Sequence, residues 1–265
     1  MNSTPSALVQ AYLIAETAIP IASFVLVVVT LPIYIVVVIV LAIGYHQPGG
    51  NQAFYRICMV GGIVDIIAIF VNYFLGILPA HGHYSELYLS SQLMGATYLA
   101  MSWGIRYTQN CTATLLAVNR LMALVFPAKF RKIWSSDRFC YFAHFLQISI
   151  GTFFGSILYL STYKYEENGL GGYYVLFTDD SFKKFYYNMS GVLASFFITY
   201  MIVNYIVILV HFRKMKLTVN SELMREKQRQ EHRLLYIALS VCSMEVICYI
   251  FVVCSFLVKF EASAL

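Results

Sequence analysis

Charge is scarce in this sequence. Asp, Glu, Lys and Arg make up 12% of the 265 residues and 60% of the residues are apolar, whereas a soluble domain carries about 25% charged residues. This composition excludes an ordinary soluble domain and is typical of a membrane protein. The net charge of +5 is modest, so it gives no reason to expect a nucleic acid as partner.

Cysteine clusters and catalytic motifs are also missing. The six cysteines form no C-x-x-C pair and no group with metal-site spacing, and all lie in or beside apolar runs. We therefore interpret them as small buried apolar residues, and we predict neither a metal site nor a cofactor. The motifs H-E-x-x-H and G-x-S-x-G and the phosphate-binding loop are absent, which argues against an enzyme.

Lys and Arg do not occur before Arg56. A secretory signal needs a positive segment ahead of a short apolar core. The first apolar run is therefore predicted to be a retained membrane span.

Long apolar runs are abundant, and a helix of about 20 such residues crosses a bilayer. Six runs qualify, covering residues 21–44, 57–78, 93–119, 139–160, 185–210 and 234–258. They predict an all-α membrane protein with a single transmembrane bundle over residues 1–265. Residues 211–233 are predicted to form a cytoplasmic loop with a helical extension that runs into the sixth span.

The distribution of Lys and Arg predicts the orientation of the bundle. The first, third and fifth loops together hold 13 basic residues, whereas the N-terminus, the other two loops and the C-terminal end hold 4. Since cytoplasmic loops carry the excess of Lys and Arg, we expect the N-terminus outside the cell.

The inner end of the third span carries the most informative stretch, Asn119-Arg120-Leu121-Met122-Ala123-Leu124-Val125-Phe126-Pro127. It resembles the D-R-Y-x-A-x-x-x-P junction of rhodopsin-like G-protein-coupled receptors, with Asn in place of Asp. The form N-R-L-x-x-x-x-F-P, followed by Lys-Ile-Trp-Ser at 132–135, is similar to the nematode serpentine chemoreceptors of the Srg superfamily, most closely the Srv class. The other interpretation of Arg120 is an anchor whose guanidinium reaches the water boundary.

This resemblance implies a chemosensory receptor and a set of roles. It implies a seven-helix bundle, of which six spans are visible here and the seventh is missing. It implies a small-molecule or peptide ligand, a heterotrimeric G protein, contact with membrane lipid, and a place in the plasma membrane of a sensory cilium. Asn119, Arg120 and Pro127 would form the coupling switch, and the loss of the acid at Asn119 would raise basal activity.

Polar residues inside the spans predict an intramembrane network. Asp65, Arg106 and Glu245 are charged, and a charge at this depth normally faces the bundle and finds a partner. We expect Arg106 to pair with Glu245, which is nearer in depth, or else with Asp65. Gln109 lies on the same helix face as Arg106 and is assigned to this network.

The outer part of the third span offers candidates for a ligand pocket: Ser102, Trp103 and Arg106. Polar residues on one face of a spanning helix serve either as contacts between helices or as ligand contacts. The alternative function is a small ion- or proton-coupled transporter or channel, in which the three charged residues relay ions. The sequence shows no internal repeat of the kind that many transporters contain.

Two further patterns predict local structure. Gly151 and Gly155 form a G-x-x-x-G pair that allows close helix approach, against the third or second span. In the long outer loop, Gly171-Gly172 before Tyr173–Thr178 is consistent with a small hairpin over the mouth of the bundle or with a solvated loop.

Overall fold

Long helices make up most of the protein in this computed structural model, which describes residues 7–45, 52–167 and 171–216 together with Tyr236, Ser240 and Ser243. The helices are α1 (Ala7–Tyr45), α2 (Gln52–Val71), α3 (Leu78–Ala80), α4 (Ser85–Leu89), α5 (Gln92–Val125), α6 (Pro127–Trp134), α7 (Asp137–Ser156) and α8 (Asp180–Lys216). A π-helical segment, Asn72–Ile77, joins α2 to α3, and a 3₁₀ turn, Ile157–Leu160, extends α7. Most of the predicted loop at 211–233 and of the predicted sixth span at 234–258 lies outside the described residues.

Four segments of the described chain are long and apolar enough to cross a membrane. They are Val27–Tyr45, Gln52–Ala80, Asp137–Leu160 and Asp180–His211. Their outward faces expose large apolar side chains such as Val36 and Phe145. In water such faces would promote aggregation, whereas in a bilayer they contact lipid.

The central helix, α5, is long enough to span but is less apolar than these four. It packs against α2, α7 and α8, so most of its surface contacts protein rather than lipid. Polar side chains such as Thr108, Asn110 and Thr112 are buried there. The polarity of α5 follows from its position, because polar residues on spanning helices are placed toward the bundle interior.

The ends of α5 are fixed by local chemistry. At the start, the Ser91 hydroxyl accepts a hydrogen bond from the Leu93 amide at 3.1 Å, which is an N-cap. At the other end, Phe126 has φ −129° and ψ 60°, outside the helical region, and Pro127 occupies the first turn of α6. Proline fits that position because the amide it lacks would have no helical partner there.

Glycines let α5 and α7 approach each other closely. A Cβ on Gly151 would lie 2.4 Å from the Gly104 carbonyl oxygen, and one on Gly155 would lie 2.5 Å from that of Ala100. Such distances leave no space for a side chain. The predicted G-x-x-x-G contact is confirmed, and its partner is the third span.

A two-stranded antiparallel hairpin forms in the long outer loop, which confirms the first of the two predicted alternatives. Strand β1 (Tyr163–Glu167) pairs with β2 (Tyr173–Phe177), and Tyr163 lies opposite Phe177. β1 contacts α5, and β2 contacts α3 and α8. The hairpin therefore lies across three helices at the end of the bundle that is predicted to be extracellular.

Two tyrosine hydroxyls of the hairpin hydrogen-bond it to the helices. The Tyr165 hydroxyl donates to the Ser91 carbonyl at 3.3 Å, and the Tyr163 hydroxyl donates to the Leu158 carbonyl. Burial raises the pKa of Tyr163 to about 12. The phenol therefore stays protonated at physiological pH and remains a donor.

Candidate functional site

The C-terminal end of α5, which is predicted to face the cytoplasm, holds two fully buried polar side chains. Asn119 and Arg120 are both 0% exposed. The guanidinium carbon of Arg120 lies 4.0 Å from the centroid of the Phe54 ring on α2, and that ring is itself 2% exposed. This is a cation–π contact removed from solvent, where such contacts are strongest.

This position contradicts the interpretation of Arg120 as an anchor that reaches the water boundary. The guanidinium is enclosed between helices, and Phe54 belongs to a buried apolar cluster with Ile57, Leu116 and Trp134. In the D-R-Y junction a carboxylate precedes the arginine. Here the residue before it is an amide, and the negative face of an aromatic ring contacts the cation.

The Asn119 amide is enclosed, and among the described residues it makes no hydrogen bond. Neither its Oδ1 nor its Nδ2 has a hydrogen-bond partner within the part of the chain that the structure describes. A buried polar group left in this state costs about 1–3 kcal/mol. The conformation described here therefore carries an energetic penalty at the junction itself.

Pro127 begins a short helix that lies against the inner ends of α5 and α7. Its last residue, Trp134, is 4% exposed and donates its indole N–H to the Met122 sulfur at 3.4 Å. The Phe139 ring stands edge-on to it at 5.0 Å. α6 is thus held rigidly to the two helices that it connects.

The predicted intramembrane network is partly assembled among the described residues. Gln109 on α5 donates from Nε2 to Asp65 Oδ1 on α2 at 2.7 Å. The Tyr34 hydroxyl on α1 donates a hydrogen bond to this carboxylate, and the positive charge of Arg106 attracts it. Glu245, the partner that we expected first for Arg106, lies outside the described residues.

Two of the predicted ligand-pocket residues, Ser102 and Trp103, contact different helical segments. Ser102 donates from Oγ to Asn72 Oδ1 at 3.2 Å, in the π-helical segment. The Trp103 ring packs edge-on against Tyr186 at 5.6 Å and lies 5.9 Å from Tyr187, both on α8. With Arg106, all three are half-buried.

Two cavities are open to the sides of the bundle. One of about 530 Å³ lies between α2, α5 and α7, and one of about 580 Å³ lies between α7 and α8. Neither is lined by Ser102, Trp103 or Arg106. Their walls are almost entirely apolar, as expected for lipid-facing grooves.

The sequence of this helical bundle is similar to that of known membrane proteins. A family model described as serpentine type 7TM GPCR chemoreceptor Srv matches residues 23–264. The chain belongs to the Srv family. It is also similar to serpentine receptor class V-1 of Caenorhabditis elegans, with 27% identity over 191 residues, which cover 69% of this chain and 58% of the relative.

Membership of the Srv family confirms several of the predictions. The Srv chain is a multi-pass, all-α membrane protein of the serpentine chemoreceptor type, as the resemblance implied. The match spans less than two thirds of the class V-1 relative.

Sequence reasoning missed one polar cluster of this Srv chain, at the end of α1 and the starts of α2 and α7. Arg56 pairs with Asp137 at 2.8 Å, hydrogen-bonds the Tyr45 hydroxyl, and lies 5.7 Å from the Tyr141 ring centroid. The cluster therefore links α1, α2 and α7. Arg56 was counted only as a loop charge, because its partners are distant in sequence.

A second missed element is a polar chain between α7 and α5. Gln147 is 1% exposed and donates to Thr112 Oγ1 at 2.5 Å, and Thr112 donates to the Thr108 carbonyl at 2.8 Å. His144 contacts the Gln147 side-chain oxygen at 3.2 Å. A lone glutamine in a span was a possible signal, since a buried amide needs partners.

Proposed function

We propose that this Srv chain is a chemosensory G-protein-coupled receptor of the plasma membrane of a sensory cilium, with its N-terminus outside. It binds a small molecule or a peptide at its outer side, signals to a heterotrimeric G protein at its inner side, and catalyses no reaction. The observation that carries this proposal is the enclosed Arg120, held on the Phe54 ring at the inner end of the central helix.

The switch follows from the energetics of that junction. We take the described conformation as the resting state, in which Phe54 holds Arg120 and the Asn119 amide is unsatisfied. A ligand that prefers a second conformation shifts the population toward it. Opening the inner end releases Arg120 toward the G protein and lets water or the G protein satisfy the amide, so Asn119 favours opening and Phe54 opposes it.

The contacts at the outer end of α5 explain how a bound ligand would act on the switch. Ser102 and Trp103 connect α5 to the second span and to α8, and Arg106 lies one turn further along α5, near enough for its charge to act on Asp65. A ligand that changes any of these contacts moves α5 relative to its neighbours. Since α5 continues without interruption to Arg120, a shift at one end is transmitted to the other.

The test uses ligand-free activity, because no ligand is identified. Nucleotide exchange on a panel of purified heterotrimeric G proteins is compared for the wild type, Phe54→Leu, Arg120→Ala and the double variant. Phe54→Leu is expected to raise basal exchange, and Arg120→Ala is expected to abolish exchange in both backgrounds. Lys184→Ala, a charge removed from the exposed start of α8, is the matched control at equal receptor concentration. Equal exchange by wild type and Arg120→Ala would reject the proposal.

The transporter alternative gains no support. In the described residues, Asp65 and Arg106 are engaged with Gln109 and with each other's charge rather than arranged along a path, and the family match points to a receptor.

A further inference from the structure

The short helix α6 presents a strongly basic face to its surroundings. Lys129, Arg131 and Lys132 are exposed, whereas Phe130, Ile133 and Trp134 turn inward. At 100° per residue the three cations occupy one side of the helix and the three apolar residues occupy the other. The apolar side is already packed, so only the basic side is available to a partner.

Within the part of the chain that the structure describes, no salt bridge neutralises the charge of this face. The nearest acid in sequence is Asp137, which is paired with Arg56 at 2.8 Å. Arg138, exposed on the first turn of α7, adds a fourth cation. On the hairpin side, by contrast, Lys164, Lys183 and Lys184 are accompanied by the acids Glu166, Glu167, Asp179 and Asp180.

An exposed aromatic ring marks the level of this face relative to the membrane. Phe126, 48% exposed, separates α5 from α6, and the Lys129 ammonium lies 5.6 Å from its centroid. An aromatic ring beside cations at the end of a spanning helix is the pattern of a segment lying at the headgroup level.

From these observations we propose that Lys129, Arg131, Lys132 and Arg138 form a binding surface for the phosphate headgroups of anionic phospholipids. Clusters of four or more basic residues directly beyond a spanning helix attract anionic headgroups, with roughly a fivefold gain in binding for each cation. Because α6 is fastened to α5 through Trp134 and Met122, lipid held there restrains the inner end of the central helix. The regulatory part of this inference rests on the proposed receptor function, whereas the binding itself does not.

The binding test uses the full chain in symmetric nanodiscs, in which orientation in the cell has no influence. Nanodiscs of phosphatidylcholine are doped with phosphatidylserine, and the lipid retained by the extracted protein is counted by native mass spectrometry. Replacing Lys129, Arg131 and Lys132 together by Gln should weaken selective phosphatidylserine retention roughly 100-fold, and high salt should do the same to the wild type. The charge-conserving pair Lys129→Arg and Lys132→Arg should retain it.

The matched control removes the same number of charges from the hairpin side, at Lys164, Lys183 and Lys184, and should leave retention unchanged. Unchanged retention in the α6 variant would overturn the proposal. Equal competition by soluble inositol phosphates would mean a free-phosphate site and would also overturn it. So would a variant that loses nucleotide exchange on G protein with lipid retention intact, since the face would then bind protein. Loss of retention without any G-protein activity in the wild type would support lipid binding and reject only the receptor function.

Discussion

The contact between Arg120 and Phe54 can be measured directly by a double-mutant cycle. Phe54→Leu removes the ring face, Arg120→Met removes the charge, and the double variant removes both. The two groups are 4.0 Å apart, with Arg120 0% and Phe54 2% exposed. A cation–π contact without solvent contributes about 2 kcal/mol or more. We therefore expect a coupling energy of about 2 kcal/mol. Each single variant also loses packing contacts, but these independent losses cancel in the cycle.

The assay is the free energy of unfolding, measured by titrating the protein from bicelles into a denaturing detergent. Phe130 offers the matched control, because its ring stacks on Trp134 at 6.3 Å in the same region and no guanidinium of the described residues lies over it. Phe130→Leu combined with Arg120→Met should be additive within about 0.5 kcal/mol. A coupling between Phe54 and Arg120 no larger than that of this control would refute the reasoning.

Three other variants test separate parts of the structure. Gly151→Val should destabilise the protein by about 1–3 kcal/mol or prevent surface expression, because a Cβ at this position would lie 2.0 Å from a side-chain oxygen of α5. The control in the surface-expression assay is Gly191→Val, since a Cβ at that position would meet no atom of the described residues within 4 Å. Arg106→Met should lower surface expression because it leaves the Asp65 carboxylate without a nearby cation, and adding Asp65→Asn should partly restore it; no restoration would argue against their pairing. Asn119→Leu should stabilise the described state by about 1–3 kcal/mol, since the unsatisfied amide is gone, and lower basal nucleotide exchange; a destabilised variant with raised exchange would contradict this account.

The sequence was most informative where chemistry is local. One short stretch placed Asn119, Arg120 and Pro127 at the end of a helix, where the structure has them, and their role in coupling stays a prediction. The spacing of Gly151 and Gly155 alone predicted a close helix contact. Partners distant in sequence could not be read in the same way. Nothing marks Phe54 as the ring beneath Arg120, because an apolar residue at a helix start has many possible neighbours.

The pairing of Arg106 was predicted from depth along the helix axis, which ranked Glu245 ahead of Asp65. Glu245 lies outside the described residues, so this ranking stays a prediction. The structure places Asp65 beside Gln109, one turn from Arg106. Rotation of each helix about its axis, which decides such pairs, is set by packing over the whole bundle.

An aromatic ring has no proton to gain or lose. A carboxylate in this place would carry a full negative charge, whereas Phe54 offers only the quadrupole of its ring, which does not depend on pH. Ions in solution also screen an enclosed contact poorly. Under the receptor function proposed above, this contact holds Arg120 with nearly the same strength at low and at high ionic strength.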